Sequence, residues 1–209
     1  LDHNVLRPAS EPFSTSGGLQ AVKGNLGNAI VKTSAVKDAH RVIEAPARVF
    51  DCQHQFNDAF KAGELHRDFI AVIRFQGPKA NGMPELHKLL TPLGALQDKG
   101  FKVALITDGR MSGASGKVAS AIHLTPECSE GGLIGKVCDG DMISLDTITG
   151  DLNLLVNDSE LRDRTIPPYN GDNVQYGTGR ELFSLFRNNV SDAQSGACVL
   201  GSLADNFAQ

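Results

Sequence analysis

Two short segments of the 209-residue chain hold residue types that could do chemistry. The first is Gln76-Gly77-Pro78-Lys79-Ala80-Asn81-Gly82-Met83-Pro84-Glu85. Its glycines and prolines force a shaped loop, and it carries a cation and a carboxylate. The second is Thr107-Asp108-Gly109-Arg110-Met111-Ser112-Gly113-Ala114-Ser115-Gly116-Lys117. Its glycines let backbone approach a ligand, with hydroxyls at Ser112 and Ser115. Glu85 reads either as a partner for the dipole of a following helix or as an oxygen ligand for a hard cation. Ser112 reads as a turn hydroxyl or as a nucleophile or base, with no His or Asp at a recognisable triad spacing. Lys79 and Lys117 are candidates for an anionic group of a ligand, with Asn81 and Ser115 as hydrogen-bond donors. His87 and His123 read as surface or hydrogen-bonded core histidines.

Gly116-Lys117 is not a phosphate loop. Met111 stands where that motif needs glycine, and Val118 where it needs Ser or Thr. An anion nest of backbone amides over residues 113–116 is compatible with the glycines. Gly24-Asn25-Leu26-Gly27 reads as a turn or as a ligand contact.

The elements around these loops follow from periodicity. Residues 69–75 and 102–107 are continuous apolar, β-branched runs, as buried strands are. Between them Leu86, Leu89, Leu90, Leu93 and Leu96 recur at helical spacing, with Pro84 near the start and Gly100 at the end. Pro92 predicts a kink or two short helices. Strand, helix, strand predicts a parallel crossover, which puts both loops at carboxyl ends of neighbouring strands, where ligands usually bind. Short strands are expected at 29–31, 48–50, 131–137, 142–145 and 152–156, and helices at 54–65, from about 156 and over 179–190. The last has Leu182, Phe183 and Phe186 on one face. The result is a mixed α/β domain with a β-rich, barrel-like portion.

Composition narrows the class. With 41% hydrophobic and 21% charged residues, the chain reads as a globular domain able to bury a core. A net charge of −4 gives no basic footprint for nucleic acid. No apolar run approaches the roughly 20 residues of a membrane-spanning helix. Cys52, Cys128, Cys138 and Cys198 form no CxxC pair and read as free thiols in a reducing cytoplasm. The start at Leu1 suggests a processed product or a fragment. Residues 1–20 read as a linker, 21–190 as the domain and 191–209 as a loose tail.

The two loops also resemble a known family. Leu105-Ile106-Thr107-Asp108-Gly109-Arg110-Met111-Ser112-Gly113-Ala114-Ser115 resembles the C-terminal signature of the dihydroxy-acid and 6-phosphogluconate dehydratases, and Gly82-Met83-Pro84-Glu85 resembles their second hallmark. Gln76-Gly77-Pro78-Lys79-Ala80-Asn81 and residues 116–127 look like the phosphogluconate branch. The likeness runs from about residue 24 to about 190. It implies an α/β fold: a mixed swivelling domain with a β-barrel-like core and flanking helices, closing the active site of a homodimeric hydro-lyase. It implies an iron–sulfur cluster, 4Fe-4S, on an N-terminal domain of the same enzyme. It also implies a shared Mg²⁺ in the cleft, with a small sugar-acid phosphate as substrate. Carried over by position, Glu85 matches the Mg²⁺-binding glutamate and Ser112 the serine base. The four cysteines match no cluster motif, so the chain alone is expected to be inactive. The competing readings are a dihydroxy-acid or unphosphorylated sugar-acid dehydratase of the same family, and a non-catalytic lid that binds a partner domain.

Overall fold

A computed structural model describes residues 2–112, 116–169, 179 and 181–200. The strands are β1 (Leu19–Gly24), β2 (Gly27–Lys32), β3 (Val42–Phe50), β4 (Phe69–Ile73), β5 (Val103–Thr107), β6 (Ser120–Thr125), β7 (Met142–Asp146) and β8 (Asp151–Leu154). They close into a barrel in the order β1-β2-β6-β5-β4-β3-β7-β8. The helices are α1 (Gln53–Lys61), α2 (Pro78–Asn81), α3 (Leu90–Asp98), α4 (Asp158–Asp163) and α5 (Ser184–Asn189). None is long and apolar enough to cross a membrane.

The two halves of the barrel differ because their faces differ. Strands β3, β4, β5 and β6 are mutually parallel. β4 and β5 are buried on both faces, which is why their sequences are unbroken apolar runs. Ile70, Val72, Ala104 and Ile106 belong to one apolar cluster with Val22, Val31, Ile143 and Leu152 of the other strands. Phe69, Ala71, Ile73, Val103 and Leu105 belong to a second cluster with Phe56 of α1 and Leu93 and Leu96 of α3. The first fills the barrel and the second lies between the sheet and its helices. Alanines 29, 45, 47, 104 and 121 in the first cluster suit an eight-stranded barrel, whose lumen is only wide enough for packed side chains. β7 and β8 alternate buried and more exposed positions, as strands with one solvated face do.

The parallel β4–α3–β5 unit forms as the sequence predicts. Pro92 does not kink α3. It sits in the helix's first turn, after a 3-10 turn at His87–Leu89, where its missing N–H has no helical partner to lose. Gly100 ends that segment with φ of 94°. Residues 131–137, expected as a strand, instead hold a 3-10 turn at Leu133–Lys136. A Cβ at Gly132 would lie 2.0 Å from the Pro126 carbonyl oxygen, and one at Gly135 would meet Ile166 and Cys128. These glycines serve close packing, not strand continuity. β1 and β6 were not foreseen: β1 alternates weakly, and β6 contains His123 at φ of 58°, where its pairing with β2 slips register.

The barrel's seam is thin, since β1 and β8 share a single register pair, Lys23 with Asp151. Asn25, in the β1–β2 hairpin turn, reinforces it. Its Oδ1 accepts from Leu154 N at 2.8 Å, and its Nδ2 donates to Leu154 O at 2.8 Å. The side chain thus acts as one more ladder rung, and Gly24-Asn25-Leu26-Gly27 forms the hairpin turn. Asn25→Ala should lower stability by about 2 kcal/mol, since it strands both Leu154 backbone groups. A urea midpoint within error of the unaltered chain would show that the seam does not need this rung.

Candidate active site

Loops leave the carboxyl ends of β4, β5 and β6 and meet on one side of the barrel. Residues 74–86 follow β4, residues 108–112 and 116–118 follow β5 and residues 126–132 follow β6. Asp108 joins all three. It is fully buried, its Oδ1 accepts from Gln76 N at 2.8 Å, and its Oδ2 accepts from Cys128 N at 3.0 Å. Glu127, 2% exposed, makes a second tie: it accepts from the amides of Lys79 and Ala80 at the start of α2 and from the Ser129 hydroxyl. Gly77 is required there, since a Cβ would lie 1.8 Å from Glu127 Oε2.

These ties set Glu85 against Ser112. Glu85 and Arg110 pair their backbones in a parallel bridge. Glu85 Oε1 accepts from Ser112 N at 2.7 Å and Oε2 from Arg110 Nη1 at 3.0 Å. Arg110 Nε also donates to Met83 O at 2.6 Å. Met83 has φ of 52°, unusual outside glycine, in the turn that follows α2. Glu85 and Ser112 line an open cleft of about 940 Å³ with His87, Leu90, Asp98 and Lys117.

The sequence-derived candidates therefore divide. Glu85, Ser112 and Lys117 share the cleft, and Lys117 Nζ is paired with Asp98 at 2.7 Å. Lys79 and Asn81 are not brought to it. They lie on α2, where Lys79 Nζ meets Glu130 at 2.7 Å and Asn81 Nδ2 donates to Gln76 Oε1 at 3.3 Å. Ser115, with the expected nest at 113–116, falls among residues 113–115, which lie outside the described residues. Arg110, Asp108 and Glu127 were missed. Arg110 sits inside the quoted signature, and only its contacts show what it does.

A hard cation could use the lone pair that each Glu85 oxygen keeps beyond its one donor. Among the described residues no group of three His, Cys, Asp or Glu side chains could hold a metal. Glu85 alone offers a cation at most its two carboxylate oxygens. Cys128 is a poor thiolate ligand, because burial and then the Asp108 charge push its thiol up to about 12. Burial, then the nearby Arg110 guanidinium, lowers the His123 imidazole below its ordinary value.

Fold and cleft together define a mixed α/β barrel domain whose carboxylate, hydroxyl and guanidinium converge at the carboxyl ends of its parallel strands. The chain belongs to the dihydroxy-acid/6-phosphogluconate dehydratase C-terminal family, which it matches over residues 4–197. It is 55% identical over 198 residues to a phosphogluconate dehydratase of Pseudomonas aeruginosa, covering 95% of this chain and 32% of that protein. It is 57% identical over 202 residues to the phosphogluconate dehydratase of Escherichia coli K12, covering 96% and 33%. A dihydroxy-acid dehydratase of Lachnoclostridium phytofermentans is 42% identical over 169 residues, covering 79% and 30%. The chain spans about a third of the length of the curated relatives it matches.

Burial pushes the Asp108 carboxyl from its ordinary 3.8 up to about 6, against the pull of the Cys128 and Gln76 amides. The folded state therefore holds this proton more tightly than the unfolded chain. The resulting stability is present below about pH 4 and is lost as pH rises through about 6. Relative to Asp108→Asn, the unaltered chain should be up to about 3 kcal/mol more favoured at pH 4 than at pH 7.5 in urea unfolding. A gap independent of pH would refute the shift.

Proposed function

We propose that this chain forms the C-terminal half of a hydro-lyase. The enzyme converts 6-phospho-D-gluconate to 2-keto-3-deoxy-6-phosphogluconate and water, in the Entner–Doudoroff pathway. It works with an N-terminal domain of the same enzyme, as a homodimer in the cytoplasm. The carrying observation is the 2.7 Å bond from Ser112 N to Glu85, which sets a carboxylate beside the serine in the cleft. Higher identity to phosphogluconate dehydratases than to the dihydroxy-acid enzyme supports the branch.

In this reading Ser112 takes the C2 proton of the sugar acid. Loss of the neighbouring hydroxyl then leaves an enol, which tautomerises to the 2-keto acid. A serine hydroxyl is a very weak acid, so its alkoxide needs a cation close by. Mg²⁺ held by Glu85 and by ligands from the N-terminal domain supplies that charge when bound, while a 4Fe-4S cluster on that domain supplies the Lewis acid for the leaving hydroxyl. Glu85 fits the first role because its carboxylate is fixed by two donors yet keeps free lone pairs. Lys117 is proposed for the substrate's phosphate. Its bridge to Asp98 is half exposed on one side and more on the other, so it is weak enough to exchange. Lys79, Asn81 and Ser115 are proposed as further substrate contacts reached when the domain swivels shut.

The test is anaerobic 2-keto acid formation by this chain joined to the N-terminal domain of a relative. Ser112→Ala should cut kcat by about 10³-fold with little change in KM, in the range expected for a lost general base. Glu85→Gln should lower kcat and raise the Mg²⁺ concentration needed. Lys117→Ala should raise KM for 6-phosphogluconate more than for gluconate. Activity that survives Ser112→Ala within about tenfold would move the base elsewhere and leave this domain as a lid.

A further inference from the structure

We propose that Arg110 is the receptor for the substrate's carboxylate. The inference rests on the hydro-lyase reading above and names a residue that reading leaves unused. An anion receptor must be a cation held in place with donors to spare. Arg110 is held from two sides, by Nε on Met83 O at 2.6 Å and by Nη1 on Glu85 at 3.0 Å. Its backbone is fixed as well, since Leu86 N donates to Arg110 O at 3.3 Å within the bridge to Glu85. A guanidinium has five N–H groups, and these contacts use two. The Nη2 amino group and one N–H on Nη1 have no partner among the described residues, and the side chain is 50% exposed.

The lysines differ in the shape of the charge they present. Lys79 and Lys117 each place a compact ammonium on a carboxylate of their own chain, Glu130 and Asp98, both at 2.7 Å. An ammonium is a point charge, whereas the planar guanidinium fork can hold Glu85 on one edge and a second carboxylate on another.

Position then selects which anion Arg110 reads. The proton to be removed is on the carbon bonded to the carboxylate. A group that grips the carboxylate beside Ser112 brings that proton to the Ser112 hydroxyl. Charge selects the same group, because removing the proton spreads negative charge onto the carboxylate oxygens. A pre-positioned cation there stabilises the transition state more than the bound acid. The phosphate, four carbons further along, would lie beyond this reach.

The test uses the 209-residue chain and follows the Arg110 Nε–Hε and Ser112 amide signals by NMR. The probes are D-gluconate, which has a carboxylate without a phosphate, and glucose 6-phosphate, which has the reverse. Gluconate should shift both signals to saturation, and glucose 6-phosphate should move neither. Arg110→Lys should weaken gluconate binding by about tenfold or more, and Lys61→Ala, at an exposed lysine of α1, should leave it unchanged. Equal shifts by glucose 6-phosphate, or no shift by gluconate, would overturn the assignment, and this titration needs no variant to fold. The joined enzyme separates the two readings. Dehydration with an unchanged KM in Arg110→Lys would remove Arg110 and leave the hydro-lyase standing. No dehydration by the unaltered joined enzyme would remove the hydro-lyase and leave the titration to judge Arg110.

Discussion

Asp108 holds its carboxylate fully buried, and among the described residues no cation pairs with it. Two backbone amides compensate for that burial, one from each neighbouring loop. A buried carboxylate is costly unless its lone pairs are filled, so each amide is held as firmly as it holds. The loops cannot drift independently without exposing an unsatisfied charge. Glu127 repeats the device one loop over, on the first amides of α2, and burial raises its carboxyl too. The geometry of Glu85 and Ser112 follows from these ties, because both sit on segments that Asp108 connects.

That arrangement depends in turn on the parallel half of the barrel. Parallel strands deliver consecutive loops to one edge, and burial on both faces of β4 and β5 keeps that edge rigid. The antiparallel half solves a different problem, which is closing the sheet. It does so with short strands and with Asn25 as a side-chain rung across a thin seam. One half positions chemistry and the other abolishes the sheet edges.

Much of this was legible in the residues. β4 and β5 were readable because two-faced burial leaves no polar residue in the run, and α3 because its leucines repeat at helical spacing. The two loops were readable because Gly and Pro cannot be dense by accident between such elements. β1 and β6 were not, because their alternation is broken by exposed polar residues and by the bulge at His123. The glycines at 132 and 135 misled for a related reason: they look like strand punctuation but relieve contacts 2 to 3 Å away that only the fold creates, while Gly131 takes a φ of 82°. Lys79 and Arg110 show the same limit at the site. Both are single cations in loops, and only the fold puts one on Glu130 and the other on Glu85.

The helix after the barrel adds a further constraint. α5 lies against α2, and Leu182, Phe183 and Leu185 are each more than half exposed around it. Sequence periodicity makes this face apolar for burial, yet the described residues do not bury it. α2 is also the element whose first amides hold Glu127. Glu85 follows the end of α2 at Asn81 by four residues, so α5 packs against the segment that carries the cleft carboxylate.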